Sequence, residues 1–176
     1  MNTLEAISKR KSTRAYTPEM ISDEALNTII KAGCAAPVAM AKYDCLHITV
    51  LQNEDMIKNI NEMTSEMFYK RMGVRKNTDF GAKTLIFVSS AHGMLPPEME
   101  FSSVGIVVEN MVIAATDLGI DSVVLGGVPA IVSESAEMVS ALGIPEGFKP
   151  VLGIALGYAI AEEGAKEHVI TVNRVL

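Results

Sequence analysis

The sequence has no Trp and only 2 Cys and 3 His among its 176 residues. Cys34 and Cys45 build no disulfide framework and no CxxC pair, so reduced thiols in a cytoplasmic protein are the expectation. His47, His92 and His168 are scattered, with no HExxH and no Cys/His cluster, which argues against a metal site. Neither GxGxxG nor the GxxxxGK[ST] phosphate loop is present, and no GxSxG marks a nucleophile elbow. No apolar run reaches the roughly 20 residues of a membrane helix. The best, Val104 to Ala115, is cut by Glu109 and Asn110, so no membrane span is expected. The N-terminal stretch carries Glu5, Lys9, Arg10, Lys11 and Arg14 without an apolar core, and no signal peptide is expected. A net charge of −6 speaks against broad electrostatic binding to nucleic acid. With no acid–base or metal machinery in view, catalysis by this chain would need a cofactor to carry the chemistry.

What the sequence does have is apolar content, 49% hydrophobic against 20% charged, with 11 Met. A chain this apolar either buries an additional face against a second copy or an apolar ligand, or holds a Met-rich monomeric core. Its length fits one domain, residues 1–176, since domains run to about 100–200 residues. No repeat, low-complexity tract or linker divides it.

The elements follow from caps and periodicity. Asn2, Ser22 and Asn53 are N-cap candidates for helices over about 3–10, from Asp23 to before Pro37, and on through Met56, Ile57, Ile60, Met63, Met67 and Phe68. A long helix is expected from about Met99 to Leu118, closed by Gly119, and a short one capped by Ser133 and ending at Leu142. Strands are expected at Cys45–Leu51, Thr84–Ser89, Ser122–Leu125 and Pro150–Tyr158, with Val169–Val172 as a candidate fifth. Strands separated by helices, with two helices before the first strand, read as an α+β or α/β sandwich.

Three segments carry chemical signals. Four of the 15 basic residues fall between positions 9 and 14. In an extended segment Arg10, Ser12 and Arg14 share one side, where two guanidinium forks and a hydroxyl make a phosphate cradle. A solvated basic turn and a nucleic-acid backbone contact are the alternatives. Gly126-Gly127 directly follows the apolar Val123-Val124-Leu125; it is either an ordinary turn or a place where backbone approaches a flat ligand. The largely uncharged loop from Ala36 through Pro37, Val38, Ala39 and Met40 to Tyr43 is either a packed surface loop or the wall of a pocket for an aromatic ring.

In this order and spacing the segments resemble the nitroreductase family of FMN-dependent NAD(P)H oxidoreductases, over nearly the whole chain. The resemblance rests on Arg10-Lys11-Ser12-Thr13-Arg14, Ala36-Pro37-Val38, Ala114-Ala115-Thr116-Asp117-Leu118-Gly119, the run Ser122–Gly127, Leu142-Gly143-Ile144-Pro145 and Leu156-Gly157-Tyr158. It implies a three-layer α+β sandwich, a central mostly antiparallel sheet flanked by helices, in an intertwined homodimer with FMN at the subunit interface. By the same resemblance Arg10, Lys11, Ser12, Arg14 and Arg174 would hold the phosphate and ribityl chain. Pro37, Val38, Ala39 and Met40 would approach from the second subunit, and Leu125, Gly126 and Gly127 would lie against the ring, with Arg75 or Lys76 near its pyrimidine end. Hydride would pass from NAD(P)H through flavin N5 to a small organic acceptor in a ping-pong exchange, with no side chain as obligate acid or base. A flavin sensor or store, another flavin reaction such as dehalogenation or flavin fragmentation, and a flavin-free dimeric interaction module are the rival readings. The sequence departs from the family where Val38, Ala41 and Tyr43 replace Ser, Asn and Gln, and where Gly126 replaces Glu.

Overall fold

The computed structural model describes residues 1–161, 164 and 168–175. Helix caps form where side chains can take up the N–H groups that the first helical turn leaves unpaired. Asn2 Oδ1 accepts from Glu5 N at 2.9 Å and starts α1 (Thr3–Lys9). Ser22 Oγ accepts from Ala25 N at 3.2 Å and starts α2 (Asp23–Cys34). After β1 (Leu46–Leu51), Asn53 Oδ1 accepts from Met56 N at 2.9 Å and starts α3 (Glu54–Met72). β2 (Thr84–Ala91) leads to α4 (Pro97–Asp117), which ends where Gly119 takes φ +74°, a conformation that favours glycine. β3 (Asp121–Leu125), α5 (Gly127–Val132), α6 (Ala136–Ala141) and β4 (Phe148–Gly157) complete the order.

The four strands form one sheet in the order β1-β2-β4-β3, and every neighbouring pair is antiparallel. The apolar run Leu85–Val88 within β2 is explained by burial on both faces. Ile86 and Val88, with Ile154 and Leu156 of β4, pack on Leu26 and Ile29 of α2 and on Val104, Val108, Met111 and Val112 of α4. The alternate residues Leu85, Phe87 and Ala155, with Val123 and Leu125, pack on Ile57 and Ile60 of α3 and on Val128 and Val132 of α5. Helices on both faces of an antiparallel sheet make the expected three layers.

Several expectations need correction. The short helix before Leu142 is capped by Ser135, whose Oγ accepts from Met138 N at 3.2 Å; Ser133 instead lies at the C-cap of α5. α5 itself was hidden by Gly126-Gly127 and Pro129. A proline in the first helical turn forfeits no hydrogen bond, because those N–H groups have no partner within the helix. Val169–Val172 forms no strand; it lies in an exposed segment whose Val169 and Ile170 are 96% and 86% accessible. α4 is, by length and composition alone, apolar enough to cross a membrane despite Glu109 and Asn110, but here Val104, Val107, Val108, Met111, Val112 and Ala115 lie in one core layer, while Phe101 and Ile106 are exposed.

Between α1 and α2 the chain runs as a strap along β3. Ser12 bridges Ser122 in parallel, and Thr13 N donates to Ser122 O at 2.9 Å. Further on, Tyr16 N donates to Phe80 O at 3.2 Å and Thr17 N to Tyr158 O at 2.8 Å. Tyr16 is buried, and its hydroxyl donates to Ala155 O at 3.1 Å.

Candidate functional site

The strap borders open space along residues 12–15. Ser12, Thr13, Arg14 and Ala15, with Ile160 and Ala161, line a hollow of about 260 Å³. Thr13 is itself buried, and the polar ends of Thr13 and Lys11 reach Asp121. Thr13 Oγ1 donates to Asp121 Oδ1 at 3.1 Å, and Lys11 Nζ lies 3.6 Å from the same oxygen. Arg14 Nη1 donates to Ser12 O at 3.3 Å, which leaves most of the guanidinium fork toward solvent. Arg10, at the C-cap of α1, is half-buried and lines neither this hollow nor the next.

Arg14 also borders a second hollow, of about 210 Å³, whose floor is Val123, Val124, Leu125 and Phe80 and whose rim carries Lys76, Asn77 and Gly126. The two glycines there differ. A Cβ on Gly126 would meet no atom within 4 Å, so this backbone borders open space. A Cβ on Gly127 would come 2.8 Å from Cζ of Phe68, so Gly127 is small to admit the α3 aromatic.

The loop after α3 presents Lys76. Asn61 Oδ1 accepts from Thr78 N at 2.7 Å and from Thr78 Oγ1 at 2.9 Å, and the Thr64 and Thr78 hydroxyls lie 2.6 Å apart. This buried polar knot pins the end of the loop to α3, and Lys76 Nζ rests 5.5 Å from the centre of the Phe68 ring. Arg75 is engaged elsewhere, 2.6 Å from Glu66 Oε2 and 5.1 Å from the Tyr69 ring centre. Of the two cations expected near the pyrimidine end, Lys76 is therefore the one at the groove.

One subunit does not bring the remaining expected residues to this groove. Val38 lines a separate apolar hollow of about 440 Å³ with Ile30, Cys34, Tyr43, Leu46 and Val107, between α2, β1 and α4. Ala39 N donates to Ser103 Oγ at 3.1 Å, while Met40 and Ala41 hold φ of +55° and +54°. Non-glycine residues in that region carry strain of about 1–3 kcal/mol each. Met40 is 72% accessible, so the strained turn projects an apolar side chain into solvent. Arg174 lies in the exposed C-terminal segment and lines none of the three hollows. The composition of the Ser12/Arg14 groove suits FMN. Hydroxyl and guanidinium donors stand at one end, and an apolar floor with a cationic rim and an open glycine stands at the other. Phe68, Asn77, Phe80 and Asp121 escaped sequence reasoning. Only the basic Arg75-Lys76 pair hinted at that wall.

Known proteins share this fold. A solved FMN-dependent nitroreductase from Clostridium difficile R20291 is 27% identical, with a TM-score of 0.84 over 99% of each chain. A nitroreductase with bound FMN from Bacteroides fragilis is 29% identical, with a TM-score of 0.83 over 99% of this chain and 100% of that one. The NADPH-flavin oxidoreductase of Vibrio harveyi is 25% identical over 169 residues; the match takes in 89% of this chain but only 65% of that relative's length. The family model described as "Nitroreductase family" matches residues 7–158. With that match over most of its length, on the sheet and helices described above, the chain belongs to the nitroreductase family.

Proposed function

We propose that this protein is an FMN-dependent oxidoreductase that takes reducing equivalents from NAD(P)H and delivers them to a small organic acceptor such as a quinone or nitroaromatic. The observation that carries this reading is Arg14, which borders both the Ser12 hollow and the hollow over Val123–Gly126. It joins an anion-binding end to a flat apolar end in one groove. When bound, FMN supplies the two-electron chemistry that no side chain in this groove can perform. Ser12 and Arg14, with Arg10 at the strap's start, would hold its phosphate and ribityl chain. Arg14 and Lys76 put positive charge at the other end, where negative charge on a reduced flavin ring is stabilised. Gly126 keeps the floor clear. Among the described residues no carboxylate or imidazole lines either hollow, which fits a site in which donor and acceptor alternate without an obligate protein acid or base.

The same reading includes a homodimer. Leu4, Phe101, Ile106, Val169, Ile170, Val172 and Val175 are all exposed on one subunit, an apolar surface suited to a second copy. Pro37–Met40 of that copy would supply the missing wall of the groove. The test is steady-state oxidation of NADH and NADPH by FMN-loaded protein with an added quinone or nitroarene, alongside light scattering for mass. Many turnovers and a mass of two chains support the reading. A single slow reduction would favour a flavin store, consistent with Val38 and Ala41 offering no polar side chain.

A further inference from the structure

We propose that Asp121 is the positioning residue of the anion cradle: a carboxylate outside the groove that holds both its walls and turns Ser12 and Arg14 toward the ligand's phosphate. This rests on the reading of the groove as an FMN site. Asp121 opens β3, and its carboxylate gathers groups from two separate segments. Thr13 Oγ1 donates to Oδ1 at 3.1 Å and Lys11 Nζ lies 3.6 Å away, both from the strap. Ala159 N donates to Oδ2 at 3.1 Å, immediately before Ile160 and Ala161, which form the facing wall. Asp121 itself does not line the hollow.

The alternation of an extended chain makes the consequence specific. With the side chains of residues 11 and 13 held at Asp121, those of 12 and 14 leave the other side of the extended strap, and Thr13, buried between Ser12 and Arg14, forms the part of the hollow's lining that is tied directly to the carboxylate. The backbone bridge between Ser12 and Ser122 fixes the strap's register, and the carboxylate fixes its rotation. A bare carboxylate behind a phosphate site would repel the ligand; the ammonium of Lys11 offsets that charge. Lys11 thereby acts beside the cradle through Asp121, whereas Ser12, Thr13 and Arg14 form its lining.

The experiment is a fluorescence titration of cofactor-free protein with FMN and, separately, with riboflavin, which has the same ring and no phosphate. Wild type, Asp121→Ala, Asp121→Asn and Thr13→Val are compared. A positioning role for the phosphate predicts that Asp121→Ala weakens FMN binding about tenfold or more, the scale of one misplaced charged hydrogen bond, with riboflavin binding within about twofold of wild type. Asp121→Asn, which keeps an acceptor oxygen, recovers part of the loss. Thr13→Val, which preserves shape and removes only the hydroxyl, shows a smaller loss of the same selective kind that does not add to that of Asp121→Asn in the double variant, whereas a direct Thr13 contact with the ligand would add; Asp121→Asn stands in if Asp121→Ala does not fold. The proposal is overturned if the variants keep the wild-type FMN-to-riboflavin ratio, whether both affinities stay unchanged or fall in parallel. Wild-type protein that binds neither flavin takes down the site reading along with it, an outcome distinct from a wild type that binds and variants that do not differ.

Discussion

Arg14→Ala separates binding from folding more cleanly than any other change in the groove. The side chain is exposed, and the one hydrogen bond described for it is the 3.3 Å contact to Ser12 O. Removing it should therefore cost the cofactor-free protein less than about 0.5 kcal/mol, as for surface positions without a buried partner. In the loaded protein Arg14 faces both ends of the groove, where a charged hydrogen bond contributes about 1.5–3 kcal/mol. That converts to a rise of roughly ten- to hundredfold in the FMN dissociation constant. Arg71→Ala is the matched control: its guanidinium lies 2.8 Å from both oxygens of Glu134 and outside both hollows. Flavin fluorescence quenching gives the affinities, and thermal melts of the cofactor-free proteins give the stabilities. Equal FMN affinity in Arg14→Ala and wild type would refute the reasoning. So would an affinity loss matched by an equal loss in Arg71→Ala.

The other expectations concern the walls. Gly126→Val should reduce FMN uptake with the melting temperature of the cofactor-free protein unchanged, because its side chain enters open space. Gly127→Val should instead destabilise the cofactor-free protein by about 1–3 kcal/mol through overpacking against Phe68, as read in urea unfolding. Asn61→Ala removes the acceptor of both Thr78 hydrogen bonds and should cost about 1–3 kcal/mol in the same assay, with weaker FMN binding through a loosened Lys76 loop. Burial, with the nearby Asp121 charge adding to it, pushes the Tyr16 phenol well above its ordinary value. Its neutral form is thus the native one. The unfolded tyrosine ionises first, so this contribution to stability is whole below about pH 10 and is lost as pH climbs toward the folded value. Stability curves should fall in that alkaline window for wild type and fall less for Tyr16→Phe.

The starts of α1, α2 and α3 were legible because each rests on one short-range hydrogen bond, at Asn2, Ser22 and Asn53. β2 was legible because burial on both faces demands an uninterrupted apolar run. α5 was not, because Gly-Gly and Pro signal a turn until Phe68 and the sheet are there to pack against it. The cradle was half legible. Extended alternation groups Arg10, Ser12 and Arg14; Ser12 and Arg14 line the hollow and Arg10 does not, while Lys11, included by the family resemblance, lies against Asp121, a partner more than a hundred residues further on that no local pattern reveals. Phe68, Asn77 and Phe80 carry no local signal and meet only through tertiary packing. The loop from Ala36 to Tyr43 stands out by composition, and its two left-handed residues, Met40 and Ala41, show that the fold holds it under strain.

Co-crystallisation of the full chain with FMN tests the central claim most directly. The account predicts flavin density with its phosphate against Ser12 and Arg14 and its ring over Val123–Gly126, beside Lys76. Flavin density in the apolar hollow between α2 and β1, or a groove filled by the chain's own side chains, would contradict it.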